Sequence, residues 1–305
     1  GSPSAGNIPT AMLMFEALNT HGIKYAQDSS TPYSQARADR SVLDNIQYPS
    51  ELLQSKLGDC DDCTVLYCSL LENLNIPTAF VDAPAHILMM FDSGVTTQRA
   101  FGLRLDEDRY ILRGDRFWIP VEVTKLGEGS FMEAWELGMK ICRRLEAEGG
   151  LRITDVREVW AQYPYVLPTV DGEVQLPDAE GLERFFLSNV AEFHRLREDY
   201  VKRRYILRLI ENPDDHVRRI ELAQTKIESE DYNDAITAVL PLLHSDYQDY
   251  ANYLIGCADA GQDDFETAAQ YFERALEQDP GNPNYERGLE VLKAWIQRQK
   301  GGIAR

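Results

Sequence analysis

The sequence predicts an α+β unit followed by an all-helical one, and three observations carry that prediction. Just after Asn73 to Pro77 the apolar period changes from helical to alternating, through TAFVD and HILMMFD. RYILRGDRFWIPVEVT then shows two strand-like runs around a Gly114-Asp115 turn. From about Pro177 onward every run is helical and strongly charged, and two segments repeat at an offset of 33 residues.

Taken in order, GSPSAG at the start is an expression scar or flexible leader, so an upstream targeting segment is allowed for. TAMLMFEALN places apolar residues at helical intervals, and His21-Gly22 ends that helix, with His21 expected at the surface. Residues 26–40 are polar and turn-rich, and SVLDNIQYPSELLQSK carries a helical pattern toward Cys60. Asp59 is a good N-cap residue, after which Val65, Leu66, Leu70 and Leu71 recur at helical spacing, so Cys60 falls in the first turn of a buried helix. NLNIP stops that helix, and Pro84 precedes a strand that His86 opens. Residues 92–107 give few signals and are expected to loop. Pro120 within FWIPVEVT suggests an edge or a bulge. FMEAWELGMKICRRLEAEGG is amphipathic and closed by Gly149-Gly150, and ITDVREVWAQYPYVLP reads as a shorter helix.

In the helical half, LERFFLSNVAEFHRLREDYVKRRYILRLIE is predicted as one long helix with its apolar face turned to the first unit, and His194 is a helix-face residue. Tyr232 and Ala235 then correspond to Phe265 and Ala268. The second copy has Gly256, Phe265, Ala268, Phe272, Ala275 and Pro280 in an order and spacing that resembles a tetratricopeptide repeat. The first copy keeps Leu222, Tyr232 and Ala235, has Val239 and Leu242 where Phe and Ala are usual, and lacks the closing proline. NYERGLEVLKAWIQRQK supplies the amphipathic cap such an array needs. The predicted organisation is a leader at 1–7, a mixed unit at 8–176, a linking helix at 177–212, and two repeats with their cap at 213–300.

A formal charge of −19 on 305 residues would repel nucleic acid and an anionic membrane surface, while basic partners remain open. No apolar run is long enough to span a membrane. The five cysteines are odd in number and lack framework spacing, so no disulfide scaffold is expected.

The chemistry centres on LGDCDDCTVLYCSLL. A helix start favours thiolate at Cys60, while Asp59, Asp61 and Asp62 oppose it, so a cationic imidazole is needed as partner. His86 at a strand start and Glu122 in the later strand are the groups to supply base and orienting carboxylate. Asp115 is a competing carboxylate in a turn. Cys60-x-x-Cys63 also fits a dithiol redox motif, and Asp59, Cys60, Asp62 and Cys63 could hold a metal with His86. Cys68, Cys142 and Cys257 sit on helix faces and are read as core.

YPSELLQSKLGDCDDCTVLYCSLLENLNIPTAFVDAPAHILMMFD, followed by FWIPVEVT, resembles the bacterial transglutaminase-like domain. The resemblance rests on Gly58-x-Cys60-x-Asp62 opening a helix, a turn at Asn75-Ile76-Pro77, a strand-borne His86, and Trp118-x-Pro120-x-Glu122-x-Thr124. It covers about residues 8–168 when the EAWELG and EVWAQYP helices are included. Glu122 stands where the family has Asp, and Asn75 replaces its usual Gly. The resemblance implies a transglutaminase-like cysteine-peptidase fold, with Cys60 as nucleophile, His86 as base and Glu122 as third member. The Cys60 N–H and a donor from Gln47 or Tyr48 would form an oxyanion hole. It further implies an acyl-transfer enzyme without cofactor or metal, acting on a protein or peptide as a protease, amidase or cross-linking enzyme, hydrolysis being slightly favoured, in a bacterial cell envelope, periplasm or cytoplasm. The reading kept beside it is a non-catalytic scaffold whose two units hold a peptide or protein, with a protein partner at the helical repeats.

Overall fold

The computed structural model describes residues 6–26, 46–99, 103–162 and 175–302. It is mixed helix and antiparallel sheet followed by a helical region, the coarse architecture the sequence predicts. The chain divides into two compact units, and the division falls between Arg197 and Glu198, inside the long helix read as a linker.

The first unit opens with α1 (Ile8–His21), whose Pro9 and C-terminal Gly22 at φ 96° set its two ends. β1 (Lys24–Tyr25) follows, then α2 (Pro49–Ser55), β2 (Leu57–Gly58) and α3 (Cys60–Asn73). The expected helix ahead of Cys60 is thus confined to α2 within the described residues, and its predicted beginning at 41–45 lies outside them. β1 and β2 form a short parallel pair, Lys24 opposite Leu57 and Tyr25 opposite Gly58. A ladder this short has no readable periodicity, and the sequence did not predict it.

The main sheet is antiparallel, in the order β5 (Ile111–Arg113), β6 (Arg116–Val121), β4 (His86–Thr96), β3 (Thr78–Ala83), β7 (Arg152–Asp155). β7 corrects the reading of ITDVREVW as wholly helical: RITD pairs with β3, and helix α5 begins only at Val156 and runs to Gln162. Four residues of strand directly abutting a helix leave too few alternations to reveal the switch. β4 also runs to Thr96, through part of the expected loop. Pro120 lies on an interior strand, yet β5 ends opposite Trp118, so no strand neighbours the proline on that side. Asn75 adopts φ 60°, the left-handed geometry its side chain tolerates, at the exit of α3.

α4 (Phe131–Ala147) packs on β6, where Gly138 brings it close. A Cβ there would lie 2.9 Å from the carbonyl carbon and oxygen of Pro120. Rings then link the layers: Phe15 of α1 meets Tyr67 of α3 and Phe131 of α4, and Phe131 meets Phe91 of β4 and Trp135. His21 is buried rather than at the surface, because its Nε2 reaches the Leu53 carbonyl at 2.9 Å. α6 (Ala179–Val201) closes this unit up to Arg197, with Phe193 against Trp135 and exposed His194 on its outer face.

Beyond Arg197 the predicted single helix continues through a wider π turn at Lys202–Ile206 and ends as α7 (Leu207–Glu211). The second unit then pairs α8 (His216–Glu228) with α9 (Tyr232–Val239), and α10 (Gln248–Gly261) with α11 (Phe265–Gln278). α12 (Pro283–Gly302) follows, packed on α11. Gly256 and Gly261 of α10 make room for rings: a Cβ would lie 2.8 Å from Phe272 and 2.3 Å from Tyr232, respectively. No described helix is long and apolar enough to cross a membrane.

Gly138→Ala tests the α4–β6 contact. Backbone cannot yield as a side chain can, so we expect a destabilisation of about 1–3 kcal/mol, read as a lower thermal midpoint; an unchanged midpoint would mean the helix stands off the strand.

Candidate functional site

The helix that carries Cys60 is held at its start by reciprocal capping. Asp59 accepts from the Asp62 N–H at 3.4 Å, and Asp62 Oδ2 accepts from the Asp59 N–H at 3.2 Å. Asp62 also accepts from the Gln47 backbone N–H at 2.6 Å and from its side-chain Nε2 at 2.7 Å. Cys60 is therefore the first helical residue, 6% exposed.

Register brings the other two groups together. Met89 pairs with Val121, so one step further along the strands Glu122 faces Leu88, and His86 is its diagonal neighbour on the same face. His86 Nε2 lies 2.7 Å from Glu122 Oε2, and Cys60 is close enough to the ring to raise its pKa. The second Glu122 oxygen accepts from the Thr124 N–H at 3.1 Å, and Glu122 is 1% exposed. Burial works against the imidazolium, but the hydrogen bonds and charges of Cys60 and Glu122 outweigh it and push His86 up to about 10. Since this lies above the ordinary value of 6.5, the stabilisation from the ring's charge is full below about pH 6.5 and is lost as pH rises through about 10.

The remaining predicted residues have other places. All the N–H groups of Gln47 are engaged, the backbone one and one amide hydrogen on Asp62 and the other on the Leu57 carbonyl at 3.0 Å. The Tyr48 N–H is taken by Glu51 at 2.8 Å and its side chain is exposed. Asp115 sits in the β5–β6 turn, and its carbonyl accepts from Thr97. Cys63 is fully buried and its Sγ reaches the Gly58 carbonyl at 3.7 Å. Burial first, then Asp62 and Asp59, push its thiol well up, which leaves it a poor partner for dithiol exchange. All five cysteines are free thiols. Ligand atoms of Asp59, Cys60 and Asp61 lie within 4.8 Å of one another, the one such group among the described residues.

One residue at the site was missed. Tyr25 of β1 has a hydroxyl pushed up by its own burial and then by the charges of Cys60, Asp59, Glu122 and Cys63. Only the short β1–β2 ladder puts it there.

The second unit offers a different surface. Tyr253, Cys257 and Ala260 of α10, Phe265 and Phe272 of α11, and Val291 and Leu292 of α12 line an open groove of about 560 Å³. Arg287 is its only charged lining residue.

Comparison with known proteins bears on this second unit. The family model for the plant specific mitochondrial import receptor subunit TOM20 matches residues 217–297, which lie wholly within it. No curated protein and no solved structure matches the chain. The match overturns the expected identity as a bacterial transglutaminase-like protein, and with it the cysteine acyl-transfer function and the bacterial envelope, periplasm or cytoplasm. The physical reason is that the residues carrying that resemblance specify a local alignment of a helix start and two strands. Alignments of nucleophile, base and carboxylate recur on unrelated folds. What the matched family supports is a protein-binding role.

The charge on His86 is directly measurable. By NMR, the imidazolium signal of His86 should persist to about pH 10 in the wild type, and titrate at clearly lower pH in Glu122→Gln. Titration near pH 6.5 in both proteins would mean the carboxylate does not hold the ring.

Proposed function

We propose that this chain is a protein-recognition protein whose helical unit, built of tetratricopeptide-like hairpins, holds a segment of a partner in the groove between α10, α11 and α12. The observation that carries the reading is coincidence in place: the import-receptor family match at 217–297 contains every residue lining that groove. The name of that family is that of an import receptor subunit, and an apolar groove on a helical scaffold is a recurring way to grip a segment of a partner. Charge defines the partner further. Residues 248–294 carry ten acidic and three basic side chains, which favours a segment that is apolar on one face and basic on the other. Val291, 64% exposed at the groove edge, is available to its apolar face.

A synthetic amphipathic helix rich in Lys and Arg should bind the full-length protein in a calorimeter, more weakly as salt rises from about 0.05 to about 0.5 M. Val291→Asp, an exposed change that leaves the core alone, should weaken it about tenfold or more. Equal binding of an acidic version of the peptide, or an unaffected Val291→Asp, would contradict the assignment.

A second reading concerns the first unit, where His86 is hydrogen-bonded to Glu122 at 2.7 Å and feels Cys60 close by. In this reading Cys60 is an activated nucleophile, His86 its proton partner and Glu122 the group that orients the ring. An imidazolium at hydrogen-bond range favours thiolate over thiol. Iodoacetamide should accordingly label Cys60 at pH about 6.5 at least about tenfold faster in the wild type than in His86→Ala, measured peptide by peptide by mass spectrometry. Equal rates would remove the reading.

A further inference from the structure

Of the three basic side chains between residues 248 and 294, two already have partners. Lys293 pairs with Glu273 at 3.1 Å, and the Arg274 guanidinium lies over the Tyr271 ring, 4.9 Å from its centroid. Arg287 has no ion pair or hydrogen bond among the described residues, although ten acidic side chains belong to the same stretch. It is exposed, and it is the one charged residue in the lining of the apolar groove.

The segment that carries Arg287 is held in place. Two residues before it, Tyr285 is buried, donates its hydroxyl to Asp249 of α10 at 2.8 Å and sets its ring 5.0 Å from that of Tyr253. One residue after it comes Gly288, where a Cβ would stand 3.5 Å from both Phe272 and Tyr253. That is ordinary contact distance, so a side chain would fit against the two rings; glycine leaves them open beside the guanidinium, although it is a poor helix former. Val291, also in the groove lining, is one turn further along α12. A charged donor and an exposed apolar contact thus stand about 6 Å apart along the helix axis.

We propose that Arg287 takes a single carboxylate side chain of the segment held in the groove, and so sets the register in which that segment lies. This deepens the recognition reading above and rests on it. The occupant is an amphipathic helix, basic on its outer face, with one Asp or Glu at the edge of its apolar face. That acid lies three or four residues from the apolar side chain that meets Val291, to match the spacing on α12. The guanidinium presents paired N–H donors that fit both oxygens of a carboxylate. The surrounding acids sharpen the choice: away from Arg287 they favour a base and repel an acid, so the carboxylate has one place to dock. A phosphate carries more negative charge and would be repelled more strongly by the same acids, which assigns the position to a carboxylate.

The test exchanges charges on both sides of the contact. A Lys- and Arg-rich amphipathic helical peptide is made as a series in which Glu or Lys occupies each edge position of the apolar face in turn. Each member is titrated into the full-length protein by calorimetry at about 0.05 M salt. In the wild type one edge position should favour Glu over Lys by about tenfold or more, whereas the same exchange on the outer face should favour Lys. In Arg287→Glu the preference at that edge position should invert, an outcome that loss of folding cannot produce. If no position favours Glu in the wild type, or if the preference survives in Arg287→Glu, the Arg287 proposal is overturned, while recognition in the groove stands as long as Val291→Asp weakens binding. If no peptide of the series binds, or Val291→Asp changes nothing, the recognition reading falls and this proposal falls with it.

Discussion

A carboxylate taken out of water must be met by hydrogen bonds, and in the first unit that requirement is used to join elements. Glu16 of α1 accepts from the Phe131 N–H at the start of α4 and from Asn189 of α6. Glu72, near the end of α3, accepts from the Thr78 N–H and hydroxyl of β3 and pairs with Arg157 of α5 at 2.7 Å. Asp92 of β4 pairs with Arg116 of β6 at 3.0 Å. Asp62 ties the start of α3 to Gln47, and Glu122 ties the end of β6 to His86. Each of these carboxylates is buried and each sits where two or more elements meet. A chain with a charge of −19 thus spends several of its acids on internal joints, where losing one partner would strand a buried charge.

The second unit is held mainly by apolar packing, with polar ties such as Asn252 to Gln278 and Tyr285 to Asp249 between its helices, and two glycines of α10 admit the Tyr232 and Phe272 rings from the helices on either side. Val239, Leu242, Leu254 and Ile255 make one core around the first hairpin and α10. Ala268, Phe272, Leu289 and Leu292 make a second core between α11 and α12. The groove opens beside that second core, so the residues that build the cap also shape the surface offered to a partner. Under the proposed reading, packing and recognition share side chains here.

How much of this was legible depended on the length of each pattern. The helix at Cys60 was, because Asp59 and four apolar residues mark both its start and its face. The hairpin offset of 33 residues was legible because side chains of matching size recur in it. The groupings of Cys60, His86 and Glu122 came from the order of helix and strands rather than from any local run. By contrast β7 and the β1–β2 pair were invisible, being too short to show alternation. Tyr25 was missed with them, since nothing local distinguishes it from any half-exposed aromatic residue. The misassigned ancestry and activity have a related cause: a handful of residues can specify a geometry without specifying what the whole chain does.

Recognition is thus proposed for the helices, and a separate reactive thiol for the sheet-bearing unit. The recognition claim is central, and hydrogen–deuterium exchange tests it most directly, on the full-length protein with and without a saturating basic amphipathic peptide. Slowed exchange confined to α10, α11 and α12 is the predicted result. Protection that falls on the first unit, or no protection anywhere in the second, would contradict it.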